Sequence, residues 1–156
     1  MEKLSCLINR AVEVVLFGLG AGMALIVAVQ VFFRYGLNHS IFWSEELARY
    51  GLVWLTFLGA TTAYKLRFHP GVDLLFQRMP GNIEKMSALL VHLFSCFFFT
   101  VMVIYGIRFA WFVRMQISPA LGVPKWIIYG IVPVVGLFLM IHGLVFLFNE
   151  VKRNGK

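Results

Sequence analysis

The sequence predicts an all-α integral membrane protein: four transmembrane helices, both termini in the cytoplasm, and a short interfacial helix between spans two and three. Three observations predict it. Of the 156 residues, 60% are hydrophobic and 13% charged, with a mean hydropathy of +0.83, well beyond the roughly 45–50% apolar content of soluble domains. Four stretches carry no charge, at residues 14–33, 50–64, 86–107 and 126–149, and about 20 apolar residues cover the hydrocarbon core of a bilayer. The net charge of +7 comes from Lys and Arg set between these runs, not gathered on one basic face, so bilayer flanks explain it better than nucleic acid does. The whole chain reads as a single four-helix membrane domain with spans at about 12–34, 44–64, 84–108 and 125–149.

The first run is too long for the apolar core of a cleaved signal sequence, which covers roughly 7–15 residues. It is therefore kept as a span. Within it Gly18 and Gly22 lie four apart on one helix face, a spacing that admits a close helix neighbour from this chain or another. Gly59 and Ala63 repeat the spacing on the second span.

The second run is short unless its helix begins near Ser44, which puts Glu45, Glu46 and Arg49 in the first turns at the water boundary. Ser44 is expected to cap the free N–H groups there, and the two acids suit the positive end of the helix dipole. Arg49 stands four residues after Glu45 and three after Glu46, so its guanidinium is expected to bridge both carboxylates, with Arg34 supplying a second positive charge.

After this span, "HPGVDLLFQRMPGN" breaks at Pro70-Gly71 and again at Pro80-Gly81, leaving a short amphipathic turn over 73–79 on the membrane surface. The third helix is expected to continue outward through "RFAWFVRMQ", with Trp111 and Phe112 at the level aromatic rings prefer. Pro119 and Pro124 then exclude regular helix between them, and Pro124 is placed to open the fourth helix. Deeper in that span, Pro133 leaves the Tyr129 carbonyl without its helical partner, which predicts a kink.

Orientation follows from the basic residues. One side holds Lys3, Arg10, Lys65, Arg67, Arg78, Lys85, Lys152, Arg153 and Lys156; the other holds Arg34, Arg49, Arg108, Arg114 and Lys125. The excess of nine over five places both termini inside by the positive-inside bias.

The membrane interior is poor in chemistry. No Asp, Glu, Lys or Arg lies in the middle of a span, whereas ion-coupled carriers keep ionisable or broken-helix sites near the midplane. A self-sufficient carrier is thereby disfavoured. Cys6 and Cys96 have no second Cys or His at ligand spacing, so neither a disulfide nor a zinc site is expected. His92 and His142 are expected at equal depth, roughly 9–10 Å from the cytoplasmic boundary at 1.5 Å per residue. Three readings stay open: bis-histidine haem ligation in a membrane anchor of a respiratory enzyme, a proton relay, or neutral imidazoles hydrogen-bonded within the bundle.

Taken together, "RYGLNHSIFWSEELARYGLVWLTFLGATTAY", "HPGVDLL" and "SPALGVPKWIIYGIVP" resemble the small membrane subunit, DctQ-like, of tripartite ATP-independent periplasmic transporters. The resemblance rests on Arg34, Trp43, Ser44, Glu45, Glu46 and Arg49, on His69, Val72 and Asp73, and on Ser118, Pro119, Ala120, Leu121, Pro124 and Trp126. Pro70 directly after His69 departs from the family's usual basic, Gly-containing loop. The resemblance implies a non-enzymatic subunit without cofactor or metal in a bacterial inner membrane. Its implied partners are a large membrane subunit, which moves an organic acid with a sodium gradient, and a periplasmic substrate-binding protein. The substrate itself would be chosen in those other chains.

Overall fold

The computed structural model describes residues 2–66 and 81–154, and all its regular elements are helices: α1 Glu2–Gly36, α2 Phe42–Lys65, α3 Gly81–Phe112, α4 Lys125–Tyr129 and α5 Ile131–Asn154. The interfacial turn expected over 73–79, with His69 and Asp73, lies outside the described residues. By length and composition three helical stretches can cross a membrane: Lys3–Gly36, Leu89–Phe112 and Lys125–Phe148. The chain is an all-α membrane protein with three to four apolar spans, α2 being the less apolar one.

α1 has 35 residues, about 52 Å at 1.5 Å per residue, against about 30 Å of hydrocarbon. It therefore tilts or extends beyond the core. It turns toward the bundle the row Ser5, Asn9, Val12, Leu16, Leu19 and Met23, buried or half-buried, spaced three and four apart as one helix face requires. The helix ends at Gly36, after which Asn38 takes a left-handed φ of 49° and the His39 N–H donates to the Phe33 carbonyl at 3.0 Å. Asn tolerates that conformation better than most residues because its short side chain bonds locally.

The core is one apolar seam. Val12, Leu58, Phe99, Ile131, Val135 and Leu139 are buried in it, with α2 packed on both α1 and α5, and α3 packed along α5. In lipid there is no hydrophobic gain from pairing apolar helices, so close van der Waals approach has to hold them. Three glycines on the α3–α5 seam permit it. A Cβ at Gly136 would lie 2.8 Å from Val103 Cγ2 and 3.3 Å from its backbone nitrogen; one at Gly106 would lie 3.0 Å from Pro133 Cδ; one at Gly143 would lie 3.3 Å from Cys96 Sγ.

The close crossing expected at Gly18 and Gly22 is not made among the described residues, since a Cβ at either would meet nothing within 4 Å. Both sit about 100° around the helix from Leu19 and Met23, the residues that actually face α2. Gly59 is likewise open, whereas Gly51 on the inward face of α2 lies against Met23, a Cβ there coming 2.7 Å from Sδ.

Pro133 has the expected effect. Helix α4 stops at Tyr129, the residue whose carbonyl the proline leaves unpaired, and α5 restarts at Ile131 after Gly130. Pro124 stands at the N-cap of α4 with extended backbone, φ −61° and ψ 130°.

Candidate functional site

Arg34, Trp43, Glu45, Glu46, Arg49 and Trp126 gather at one end of the bundle, where α1 ends, α2 begins and the α3–α4 connection turns. Helix α2 starts earlier than expected, at Phe42 with Ile41 as its N-cap. Ser44 is therefore in the first turn and does not cap. Its side chain is buried, and its hydroxyl donates back to the Ile41 carbonyl at 2.6 Å, the local bond that Ser readily makes when no free N–H is in reach.

Between α3 and α4 the chain forms a tight loop. Ser118 N–H donates to Val123 C=O at 2.9 Å, Gly122 N–H to Ser118 C=O at 3.0 Å, and Lys125 N–H to Gln116 C=O at 2.9 Å. Gly122 carries φ +65°, a left-handed conformation that glycine adopts without a Cβ clash. At the mouth of the loop the Lys125 ammonium reaches the Gln116 side-chain oxygen at 3.2 Å. The Arg114 guanidinium stacks 4.0 Å from the centre of the Trp111 ring and Arg108 lies 5.9 Å from that of Tyr105, contacts that hold cations on aromatic faces at the boundary.

Glu46 joins this loop to α2. Its Oε2 accepts the N–H groups of Ala120 at 2.8 Å and Leu121 at 3.1 Å, and its Oε1 accepts the Tyr50 hydroxyl at 2.5 Å. The buried Ser118 hydroxyl lies beside the same carboxylate. One acid thus satisfies two consecutive backbone donors that the turn at Pro119 leaves without a helical partner. A second tie lies one turn or two deeper, where the Trp54 indole N–H donates to the Ile128 carbonyl at 3.1 Å.

The bridge expected from Arg49 to both acids is not formed. Glu46 faces the loop, and Glu45 pairs with Arg34 at 3.6 Å, both side chains more than half exposed. Gln30 also approaches Glu45, at 3.4 Å. Arg49 is exposed and makes no ion pair among the described residues. Sequence spacing put it within reach of both acids, but the two carboxylates point to different elements, so one guanidinium cannot serve them. Trp43 and Trp126 remain 46% and 49% exposed, and they flank this end of the bundle with Phe42 and Tyr35.

Beneath Glu46 an open crevice of about 200 Å³ is lined by Leu19, Leu47, Tyr50, Gly51, Trp54, Leu121, Val123, Ile127 and Ile128. Its two polar groups, the Tyr50 hydroxyl and the Trp54 indole, are already engaged by Glu46 and Ile128. The lining suits hydrocarbon better than a charged solute.

At the opposite end the two histidines are not level. His92 packs on Phe146, ring centres 6.1 Å apart, while His142 lies beside Gly143, which faces Cys96. Antiparallel packing of α3 on α5 offsets them by more than a turn, and the pairing expected for a haem between them is not made. His142 is fully buried and its Nδ1 lies 2.8 Å from Ser5 Oγ, which also accepts from Lys65 Nζ at 2.7 Å. Sequence reasoning missed Ser5 and Lys65 as partners, because α1 reads as a plain apolar span and nothing in its pattern says which turn meets α5. Among the described residues no cluster of three or more His, Cys, Asp or Glu side chains could hold a metal ion.

A bundle of apolar helices whose polar contacts tie its two ends, with an apolar crevice beneath Glu46, is the build of a membrane subunit that works through its surfaces. The chain belongs to the family of the tripartite ATP-independent periplasmic transporters, DctQ component, whose family model matches residues 23–153.

Among its relatives, the chain is 38% identical over 80 residues to a putative TRAP transporter small permease protein of Haemophilus influenzae, covering 51% of this chain and 50% of that one. It is 26% identical over 144 residues to the ectoine TRAP transporter small permease protein TeaB of Halomonas elongata, covering 90% of this chain and 73% of that one. It is 30% identical over 129 residues to the isethionate TRAP transporter permease protein DctMQ of Oleidesulfovibrio alaskensis, covering 73% of this chain and 20% of that one. The match to the Haemophilus protein thus spans half of that relative's length.

Proposed function

We propose that this chain is the small membrane subunit of a sodium-driven tripartite system for organic acid uptake. In this reading it lies in a bacterial inner membrane with both termini cytoplasmic. It enlarges the fixed scaffold against which a large permease subunit moves its cargo, and its periplasmic edge helps receive the substrate-binding protein. All four long helices cross the bilayer as one domain, and Arg34, Trp43, Glu45, Arg49 and Trp126 belong to the partner-facing surface.

The observation that carries this reading is the contrast between interior and exterior. No Asp, Glu, Lys or Arg stands at mid-span, while the outward faces of α1 and α3 expose a succession of large apolar side chains, Phe17 at 81% and Phe94 and Phe97 near 70% among them. Such faces suit lipid or other helices, and a coupling site would have to lie in another chain. The match to a permease relative in which the aligned part makes up 20% of the length supports a working unit larger than this chain. The exposed loop between α3 and α4, with Arg108, Arg114 and Lys125 at its base, supplies the positive edge for a soluble partner.

The test is reconstitution. Liposomes holding this chain alone should take up no solute, and uptake by large subunit and binding protein should be lost when this chain is left out. Full uptake in its absence would overturn the proposal.

A further inference from the structure

We propose that Lys65, Ser5 and His142 form an acid-released clamp that fixes the first turns of α1 to the rest of the bundle. Three helices meet at one hydroxyl: Ser5 of α1 receives the Lys65 ammonium of α2 at 2.7 Å and touches Nδ1 of His142 of α5 at 2.8 Å. A serine hydroxyl has a single hydrogen and two lone pairs, and an ammonium can only donate. Lys65 therefore donates into Ser5 Oγ, and the Ser5 hydrogen is given to Nδ1. His142 must be the neutral tautomer with its proton on Nε2.

That arrangement fails when His142 gains a proton. Nδ1 then becomes a donor: the two lone pairs of Ser5 Oγ can take both donors, but the Ser5 hydrogen loses its acceptor and two cations stand on either side of a single oxygen. Among the described residues no carboxylate contacts Ser5, Lys65 or His142. From α2, Tyr64 is neutral and Lys65 is the second cation; from α3, Cys96 and His92 carry no negative charge at neutral pH or below. From α1, Glu13 reaches the cluster only indirectly, accepting from Asn9 Nδ2 at 2.7 Å. From α4, Lys125 and Tyr129 lie at the far end of the bundle. His142 is fully buried, with Nε2 lacking a partner, so water does not screen the repulsion. Apart from this cluster, Ile8 and Asn9 are the inward-facing side chains among the described residues of the first two turns of α1, while Lys3, Leu4, Cys6 and Leu7 are exposed. The element that yields is the start of α1.

The experiment measures a spin-label distance in the full chain, assembled with its partner subunits in lipid nanodiscs. The labels sit on exposed Cys6 and on Phe148→Cys, in a Cys96→Ala background, and pH is lowered from about 8 to about 3, through and beyond the range in which an unperturbed histidine charges. The distance should be single and narrow at the upper end and should become longer and broader in acid. His142→Asn, which keeps an acceptor near Nδ1 and does not titrate, should abolish the transition. Lys65→Met, which removes the opposing cation, should move it to higher pH. A wild-type distance that stays unchanged to about pH 3, or a transition that persists in His142→Asn, would overturn the clamp. Should His142→Asn fail to insert, the direction of the Lys65→Met shift decides alone: upward supports the proposal, and no shift refutes it.

Discussion

Glu46 and Ala120 lie 74 residues apart in the chain and meet through a 2.8 Å hydrogen bond from backbone N–H to carboxylate. The contact joins the start of α2 to the turn after α3, two segments that looked like separate motifs in the sequence. Since the same carboxylate also serves Leu121 and Tyr50, its loss leaves three donors to be rehydrated at once.

The first prediction concerns this carboxylate. Glu46→Ala should lower the thermal stability of the detergent-purified chain and loosen the loop around Gly122. Glu46→Gln, which keeps one oxygen as acceptor, should be intermediate, and Tyr50→Phe should be the mildest of the three. Proteolytic sensitivity of the loop, followed alongside the melting curve, checks the order; equal behaviour of Ala and Gln variants would mean the carboxylate is not what holds the turn.

Reassignment of the ion pair gives a second expectation. Arg34 and Glu45 are both more than half exposed, so Arg34→Ala should cost only about 0–1 kcal/mol. Arg49→Ala should leave stability within about 0.5 kcal/mol, as for a surface substitution without a partner. A double-mutant cycle should then show coupling for Arg34 with Glu45 and none for Arg49 with either acid. If Arg49→Glu blocks uptake while the chain remains stably inserted, its charge acts on a partner and not on α2.

The glycines separate internal packing from external. At Gly136→Ala the new methyl group falls 2.8 Å from Val103 Cγ2 and close to α3 backbone, an overpacking that costs typically about 1–3 kcal/mol. Gly18→Ala and Gly22→Ala meet open space and should leave the isolated chain unchanged. Co-purification with the large subunit discriminates further: a loss confined to the Gly18 and Gly22 variants would locate a partner helix on that face.

Topology supplies the fourth prediction. Reporters fused after Lys156 and within 70–81 should read cytoplasmic, since nine of the fourteen Lys and Arg residues lie on that side and basic loops stay inside. A reporter inserted at Gly122, in the loop tied to Glu46, should read periplasmic. A reversed reading at any of the three would invert the proposed placement of the binding-protein edge.

The sequence by itself determined the solvent in which this chain folds, the helical class, and most of the breaks between helices. Those properties depend on local or additive quantities: summed hydropathy, the fixed φ and missing N–H of Pro124 and Pro133, the conformational freedom of Gly122. Its motifs also sufficed to point to the family. Tertiary structure alone decided the partners. Arg49 is within helical reach of two acids, yet Glu46 turns to Ala120 and Leu121 and Glu45 to Arg34, because carboxylates go to whichever donors the fold brings nearest. Gly18 and Gly22 carry the same spacing as a packing motif, yet the close seam runs through Gly106, Gly136 and Gly143. In an apolar helix every face is hydrophobic, so the pattern does not mark which one turns inward. The meeting of Ser5, Lys65 and His142 was hidden for the same reason: helix register across 60 and 137 residues of chain is set by how whole helices pack, and no local spacing encodes it.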